Sequence, residues 1–146
     1  MFQEGSKRFK WLFWSLALLW MIVIFAFSSQ ANSGSYTETY LQGANVPVRK
    51  LAHMFEYAVL AVLYQTALSG SLVSSKKTFK NYSFAFLLAV LYALTDEWHQ
   101  SFVPGRSASL FDSGVDSIGA LIGLTCAYWT GRLLSNGARP EPLNQD

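Results

Sequence analysis

Four long apolar segments follow one another along this chain, and most of them are polar toward one end. The first runs from Trp11 to Phe27 as WLFWSLALLWMIVIFAF, with the basic stretch KRFK directly before it. A basic stretch before an apolar run is also typical of a signal peptide. This run is longer than the usual apolar core of such a peptide, however, and no convincing A-x-A cleavage site follows it. We therefore expect an uncleaved helix over about residues 11–28.

The other three segments combine an apolar half with a polar half. The second, over about 48–68, is polar at first and then reads YAVLAVLYQTAL, while the third, over about 82–102, reads FAFLLAVLYAL before the polar TDEWHQ. The fourth, over about 110–130, opens with Asp112 and Asp116 before IGALIGLTCAYW. Each segment is close to the roughly 20 residues that cross a bilayer. We predict an all-α membrane protein with four transmembrane helices, in one domain over residues 1–134.

Composition agrees with this fold class. The chain is 51% hydrophobic and only 14% charged, whereas soluble domains average roughly 25% charged residues. A net charge of +2 is too small to indicate nucleic-acid binding. Cys126 is the single cysteine, which excludes an intrachain disulfide and a metal site built on paired thiolates. The tail over 135–146 contains two prolines and no apolar periodicity, so we expect it to be disordered.

The basic residues predict the direction of the helices. Most of them fall in the N-terminal segment, the second loop and the tail, which share one side of a four-helix topology. They are Lys7, Arg8, Lys10, Lys76, Lys77, Lys80, Arg132 and Arg139. By the positive-inside rule, both termini are then cytoplasmic. Arg49, Lys50 and Arg106 fall on the outer side, against the rule, which indicates a specific role for them.

With this topology, polar residues from three helices gather near the outer membrane surface. At a rise of 1.5 Å per residue they lie within roughly 3–12 Å of the outer helix ends. Ionisable groups at membrane depth cost a few kcal/mol each and persist mainly when they pair or have a function. The gathered residues are His53, Glu56, Asp96, Glu97, His99, Gln100, Asp112 and Asp116.

Carboxylates beside a histidine are the residue types that general acid–base catalysis uses. His53 and Glu56 are three residues apart and share a helical face. The catalytic candidates are therefore His53, Glu56, Asp96 and Glu97. The pattern H-x-x-E lacks the second histidine of a zinc-peptidase helix, so no metal ligands are assigned, and a divalent cation bound by oxygen stays open. The alternative is that these groups only bond to one another and hold the helices together.

Arg106 lies in the turn Val103-Pro104-Gly105-Arg106 between the third and fourth segments. Together with Arg49 and Lys50 it predicts a cationic rim, which suits an anionic lipid head group or a polyprenyl phosphate. The alternative is an ion pair from Arg106 to Asp112 or Glu97. The predicted substrate-binding residues are Arg49, Lys50, Gln100, Arg106, Asp112 and Asp116.

Gly119 and Gly123 form a G-x-x-x-G pattern on the fourth helix. This pattern is typical of close packing between membrane helices. It also offers a face through which two copies of the chain could associate.

At these residues the chain resembles the VanZ-like family of small bacterial membrane proteins. The matching stretches run in order over about residues 27–123. They are Phe27-Ser28-Ser29-Gln30, Arg49-Lys50-Leu51-Ala52-His53, Glu56-Tyr57, Asp96-Glu97, Gln100, Phe102, Pro104-Gly105-Arg106, Asp112, Gly119 and Gly123. One departure is Asp116, where many members of the family have Asn.

The resemblance implies a multi-pass protein of the bacterial plasma membrane. The family is named for a member linked to low-level resistance to teicoplanin, a lipoglycopeptide that anchors in the outer leaflet. We therefore expect an extracytoplasmic polar site that binds or acts on an outer-leaflet amphiphile, either a membrane lipid or a lipid-anchored glycopeptide. Whether it is an enzyme stays open, and the alternatives are a non-catalytic lipid- or partner-binding protein and, less favoured, a small transporter.

Overall fold

Four helices make up the computed structural model, which describes residues 2–31, 45–71, 79–106 and 108–137. They are α1 (Phe2–Ser28), α2 (Asn45–Ser69), α3 (Phe79–Gln100) and α4 (Leu110–Gly137). All four predicted helices are present, and α1 and α4 extend beyond their apolar segments. The predictions for Lys76, Lys77 and most of the tail lie outside the described residues.

The third helix ends two residues earlier than its sequence pattern predicts. Turn hydrogen bonds replace the helical pattern after Gln100: the Phe102 amide donates to the carbonyl of His99, and the Val103 amide to that of Gln100, each over 3.0 Å. The turn closes at Gly105, whose φ of 77° is a conformation that glycine adopts without steric cost. This short turn brings Arg106 back toward the end of α3.

Three of the helices are long and apolar enough to cross a membrane. They provide the candidate spans Ser6–Ser28, Pro47–Ser69 and Leu110–Ser135. The apolar part of α3 is shorter, because Lys80 and Asn81 precede it and the polar run from Thr95 follows it. The all-α membrane fold is therefore confirmed, whereas the crossing by α3 and the cytoplasmic position of the termini stay predictions.

The helix α2 is the centre of the bundle and contacts each of the other three helices. Its side chains Tyr57 and Leu60 are fully buried, together with Ile24 of α1. From α3 the core receives small residues one helical turn apart, Ala85, Ala89 and Ala93. The outer surface is strongly apolar and includes Leu12, Leu19, Phe55, Leu121 and Leu133, each more than half exposed. Such a surface suits lipid chains rather than water.

The helix α4 approaches α2 closely at two glycines. A Cβ atom added to Gly119 would lie 2.7 Å from Cα of Met54 and would also collide with the Met54 carbonyl oxygen. One added to Gly123 would lie 2.8 Å from Cα of Ala58. The predicted close packing therefore occurs within one chain. Because α2 occupies this face, an oligomer through Gly119 and Gly123 would have to displace it, and association of copies stays a prediction.

Substitution of Gly119 tests this contact. We expect Gly119→Ala to lower the free energy of unfolding by about 1–3 kcal/mol, since backbone atoms of α2 cannot yield as a flexible side chain would. The measurement is thermal unfolding of the purified protein in detergent. Gly114→Ala is the matched control on the same helix, because nothing lies within 4 Å of its added Cβ. Equal stability of the two variants would contradict the packing described.

Candidate functional site

One end of the bundle contains a polar cavity of about 240 Å³. It lies where the C-terminal ends of α1 and α3 meet the N-terminal ends of α2 and α4. Eight of the ten predicted site residues line it, since Glu56 and Asp96 are absent from its wall. The lining residues are Arg49, Lys50, His53, Glu97, Gln100, Gly105, Arg106, Asp112, Val115 and Asp116.

Among the described residues the cationic rim contains one ion pair, and it differs from the alternative of an ion pair from Arg106 to Asp112 or Glu97. Lys50 Nζ lies 2.5 Å from Asp112 Oδ1. The same ammonium group lies 4.9 Å from the centre of the Phe111 ring, a cation–π distance. Asp112 therefore pairs with Lys50 and not with Arg106.

Arg106 binds neutral oxygens instead of a carboxylate. Its Nη2 donates to the main-chain carbonyl of Phe27 over 2.7 Å, and its Nη1 makes a longer bond of 3.4 Å to Gln100 Oε1. Its Nε is buried and has no partner among the described residues. Burial, followed by the nearby charge of Arg49, lowers the pKa of Arg106 from its ordinary value. Neither Arg106 nor Arg49 forms an ion pair within the described part of the chain.

Asp96 joins helices rather than facing the cavity. Its Oδ2 accepts a hydrogen bond from Ser28 Oγ of α1 over 2.7 Å and another from Gln100 Nε2 over 2.9 Å. Asp96, Ser28 and Gln100 are all buried. Asp96 thus connects α3 to α1 and fixes the amide of Gln100, whose other end contacts Arg106. Because it is absent from the cavity wall, its predicted catalytic role receives no support.

His53 reaches the cavity, with Glu56 behind it. His53 Nδ1 lies 3.5 Å from Glu56 Oε2, one helical turn deeper in α2, and neither atom has a hydrogen-bond partner among the described residues. Glu56 is thus placed to orient the imidazole. Glu97 also lines the cavity, and its Oε2 accepts a hydrogen bond from the Ser109 amide over 2.8 Å. His99 lies outside the cavity, with Nε2 3.0 Å from Ser29 Oγ.

Below the rim, several buried polar atoms have no partner in the described part of the chain. Asp116 is 2% exposed and lines the cavity, and its Oδ2 is one of these atoms. Tyr57 Oη, Ser113 Oγ and Asp96 Oδ1 are others at the same end of the bundle. Buried polar groups in proteins are nearly always hydrogen-bonded to protein, water or ligand. These atoms are therefore free of hydrogen bonds within the described residues and could bond to water or to a ligand.

Two parts of this site have no role predicted from the sequence. The C-terminal end of α1 contributes the Ser28 hydroxyl and the Phe27 carbonyl, and Ser28 belongs to the stretch FSSQ that carries the family resemblance. Ser109 caps α4, because its Oγ accepts from the Phe111 amide over 3.1 Å while its own amide binds Glu97. A serine just before an apolar run is a recognisable N-cap signal.

The described residues contain no group of three His, Cys, Asp or Glu side chains that could hold a metal ion. The divalent cation left open by the sequence therefore receives no support from them. What the cavity does provide is a set of guanidinium, ammonium, imidazole and carboxyl groups at the end of an apolar bundle.

A family model described as VanZ/LLP1 matches residues 13–132, which include most of α1 and α4 and all of α2 and α3. The chain belongs to the VanZ/LLP1 family. No curated protein and no solved structure matches it. The match confirms the family resemblance and, with the apolar helices, a VanZ-like membrane protein.

Removal of the Asp96 carboxylate tests its connecting role. We expect Asp96→Ala to lower the free energy of unfolding by about 2–3 kcal/mol, because Ser28 and Gln100 would lose a buried acceptor. The measurement is thermal unfolding in detergent. Thr95→Ala is the neighbouring control, since its exposed hydroxyl bonds only to the local carbonyl of Tyr92. An Asp96→Ala protein as stable as this control would show that the connection is unimportant.

Proposed function

We propose that this VanZ-like protein binds or acts on the head group of an amphiphile in the outer leaflet of the bacterial plasma membrane. The observation that carries the proposal is the cavity at the end of the apolar bundle. Arg49 and Arg106 stand at this cavity without a carboxylate partner among the described residues. A guanidinium group binds phosphate or carboxylate oxygens through paired hydrogen bonds. The apolar helix surfaces would keep the chains of such a ligand in the membrane.

The distribution of basic residues supports the outer side as the position of the cavity. Lys7, Lys10, Lys80 and Arg132 belong to the ends of the helices opposite the cavity. An excess of Lys and Arg is typical of the cytoplasmic side. The cavity would then open toward the cell wall, where teicoplanin-type lipoglycopeptides insert their lipid anchors. Low-level resistance to such drugs is the physiological role that we propose.

If the protein is an enzyme, the geometry favours one assignment of roles. Glu97 and His53 both line the cavity, so Glu97 is the better base and His53 the proton carrier. Glu56 lies behind His53 and would orient its ring. Arg106 would hold the anionic group of the substrate. The reaction class would be hydrolysis or group transfer at a head group, in which a positioned acid and base contribute typically 10²–10⁴-fold.

A non-catalytic binding protein is the second candidate. Two sets of contacts favour this candidate, because they use polar groups of the cavity to hold the helices together. They are the hydrogen bonds of Arg106 to Phe27 and Gln100 and the ion pair between Lys50 and Asp112. A transporter is less favoured. The half of α2 from Tyr57 to Ser69 contains no charged residue, and neither does the stretch of α3 from Asn81 to Thr95, so no charged path continues beyond the cavity.

Drug susceptibility of a sensitive Gram-positive host tests the proposal. We expect wild type to raise the inhibitory concentration of teicoplanin and to lower the amount of cell-bound drug. His53→Ala, Glu97→Ala and Arg106→Ala, at matched membrane levels, should return both values to those of the empty vector, because each removes a cavity group. Thr125→Val is the control on the exposed face of α4, outside the cavity.

The outcomes separate the candidates. Protection retained in all three variants would contradict a role of the cavity and leave the polar cluster as a link between helices. Absence of protection by wild type would contradict the resistance role. The conservative change Glu97→Asp distinguishes an enzyme from a binding protein. In an enzyme the displaced catalytic carboxylate should abolish protection, whereas a binding protein should keep much of its protection.

A further inference from the structure

The cavity lining contains equal numbers of cationic and carboxyl residues, and these residues lie at different depths along their helices. The lining contains the three cations Arg49, Lys50 and Arg106 and the three carboxyl residues Glu97, Asp112 and Asp116. Lys50 and Asp112 pair with each other. The two guanidinium groups, Glu97 and Asp116 have no ion-pair partner among the described residues.

These remaining groups differ in their distance from the end of the bundle. Arg49 lies near the start of α2 and Arg106 in the turn after α3, so both belong to the mouth. Asp116 lies one helical turn further into α4 than Asp112, about 6 Å deeper along the helix axis. The mouth of the cavity is thus basic and its floor acidic.

Asp116 is a buried residue of the cavity lining, and one of its carboxyl oxygens lacks a hydrogen-bond donor within the described residues. It is 2% exposed, it lines the cavity, and its Oδ2 has no hydrogen-bond partner among the described residues. The charged groups that act on it are all acidic: Glu97, Asp96, Asp112 and Glu56. Lys50 pairs with Asp112, and Arg106 acts on Asp96, Glu97 and Glu56, but no cation is among the groups that act on Asp116. A positively charged donor from a ligand would both satisfy Oδ2 and reduce the repulsion.

We propose that the ligand is an amine-bearing phospholipid, whose phosphate binds Arg49 and Arg106 at the mouth while its ammonium binds Asp116 on the floor. This inference rests on the proposed function and names the head-group chemistry of the same site. A phosphate and a primary ammonium joined by a short linker carry the two charges that complement the cavity, an anion for the guanidinium groups and a cation for Asp116. A head group with a phosphate alone would satisfy the mouth but leave the carboxyl groups of the floor without a cation.

Native mass spectrometry of the full chain in detergent tests this directly. The protein is titrated with phosphatidylethanolamine, phosphatidylcholine and phosphatidylglycerol of identical acyl chains. We expect phosphatidylethanolamine to bind at least about tenfold more tightly, because its ammonium donates hydrogen bonds to Asp116 that a trimethylated or absent amine cannot. Excess free phosphoethanolamine should displace it from the cavity.

Variants test whether Asp116 causes the preference for phosphatidylethanolamine. Asp116→Asn should bind all three lipids equally, and Arg49→Gln should weaken all three, while the exposed control Thr125→Val should match wild type. Equal binding of the three lipids by wild type would overturn the ammonium site but leave the proposed function standing. Absence of binding to any lipid would overturn both. Lipid that resists displacement by phosphoethanolamine would lie on the apolar outer surface, which also overturns the inference.

Discussion

The site depends on the close approach of α4 to α2 at Gly119 and Gly123. Because these residues lack side chains, the backbone of α4 rests directly on that of α2 at Met54 and Ala58. Asp116 lies three residues before Gly119, and His53 directly precedes Met54, so the same contact brings the acidic start of α4 beside the polar start of α2. A wider separation of the two helices would break the Lys50–Asp112 pair and open the cavity.

The polar residues at this end divide into two kinds. Ser28 and Gln100 both donate to Asp96 Oδ2 and so connect α1 to α3, as interhelical hydrogen bonds in membranes commonly do. Asp116 and His53, by contrast, line the cavity with atoms that have no hydrogen-bond partner in the described part of the chain. Leaving such groups buried is costly for folding. The two kinds together support a site that is completed by a ligand or by water and that stands on helices joined through Asp96 Oδ2.

Much of this arrangement follows from the pattern of the sequence. Helix rise and alternating direction are enough to place His53, Glu97 and Asp112 at one end of the bundle, since each lies in the polar half of its segment. The pairing within the cluster does not follow, because several cations and carboxyl groups lie at one depth and helix rotation decides which of them meet. Lys50 rather than Arg106 therefore pairs with Asp112. The contribution of α1 could not be predicted for another reason. Arg106 binds the main-chain carbonyl of Phe27, and any residue type at that position would offer the same carbonyl.

The central claim is that the floor of the cavity serves a ligand rather than the stability of the bundle. The most direct test is the unfolding temperature of Asp116→Asn and wild type, both purified in detergent without added lipid. The account predicts that the variant is as stable as wild type or more stable, because a buried carboxyl group without a partner among the described residues is replaced by a neutral amide of similar shape. A clear loss of stability in the variant would contradict it, since Asp116 would then hold the helices together.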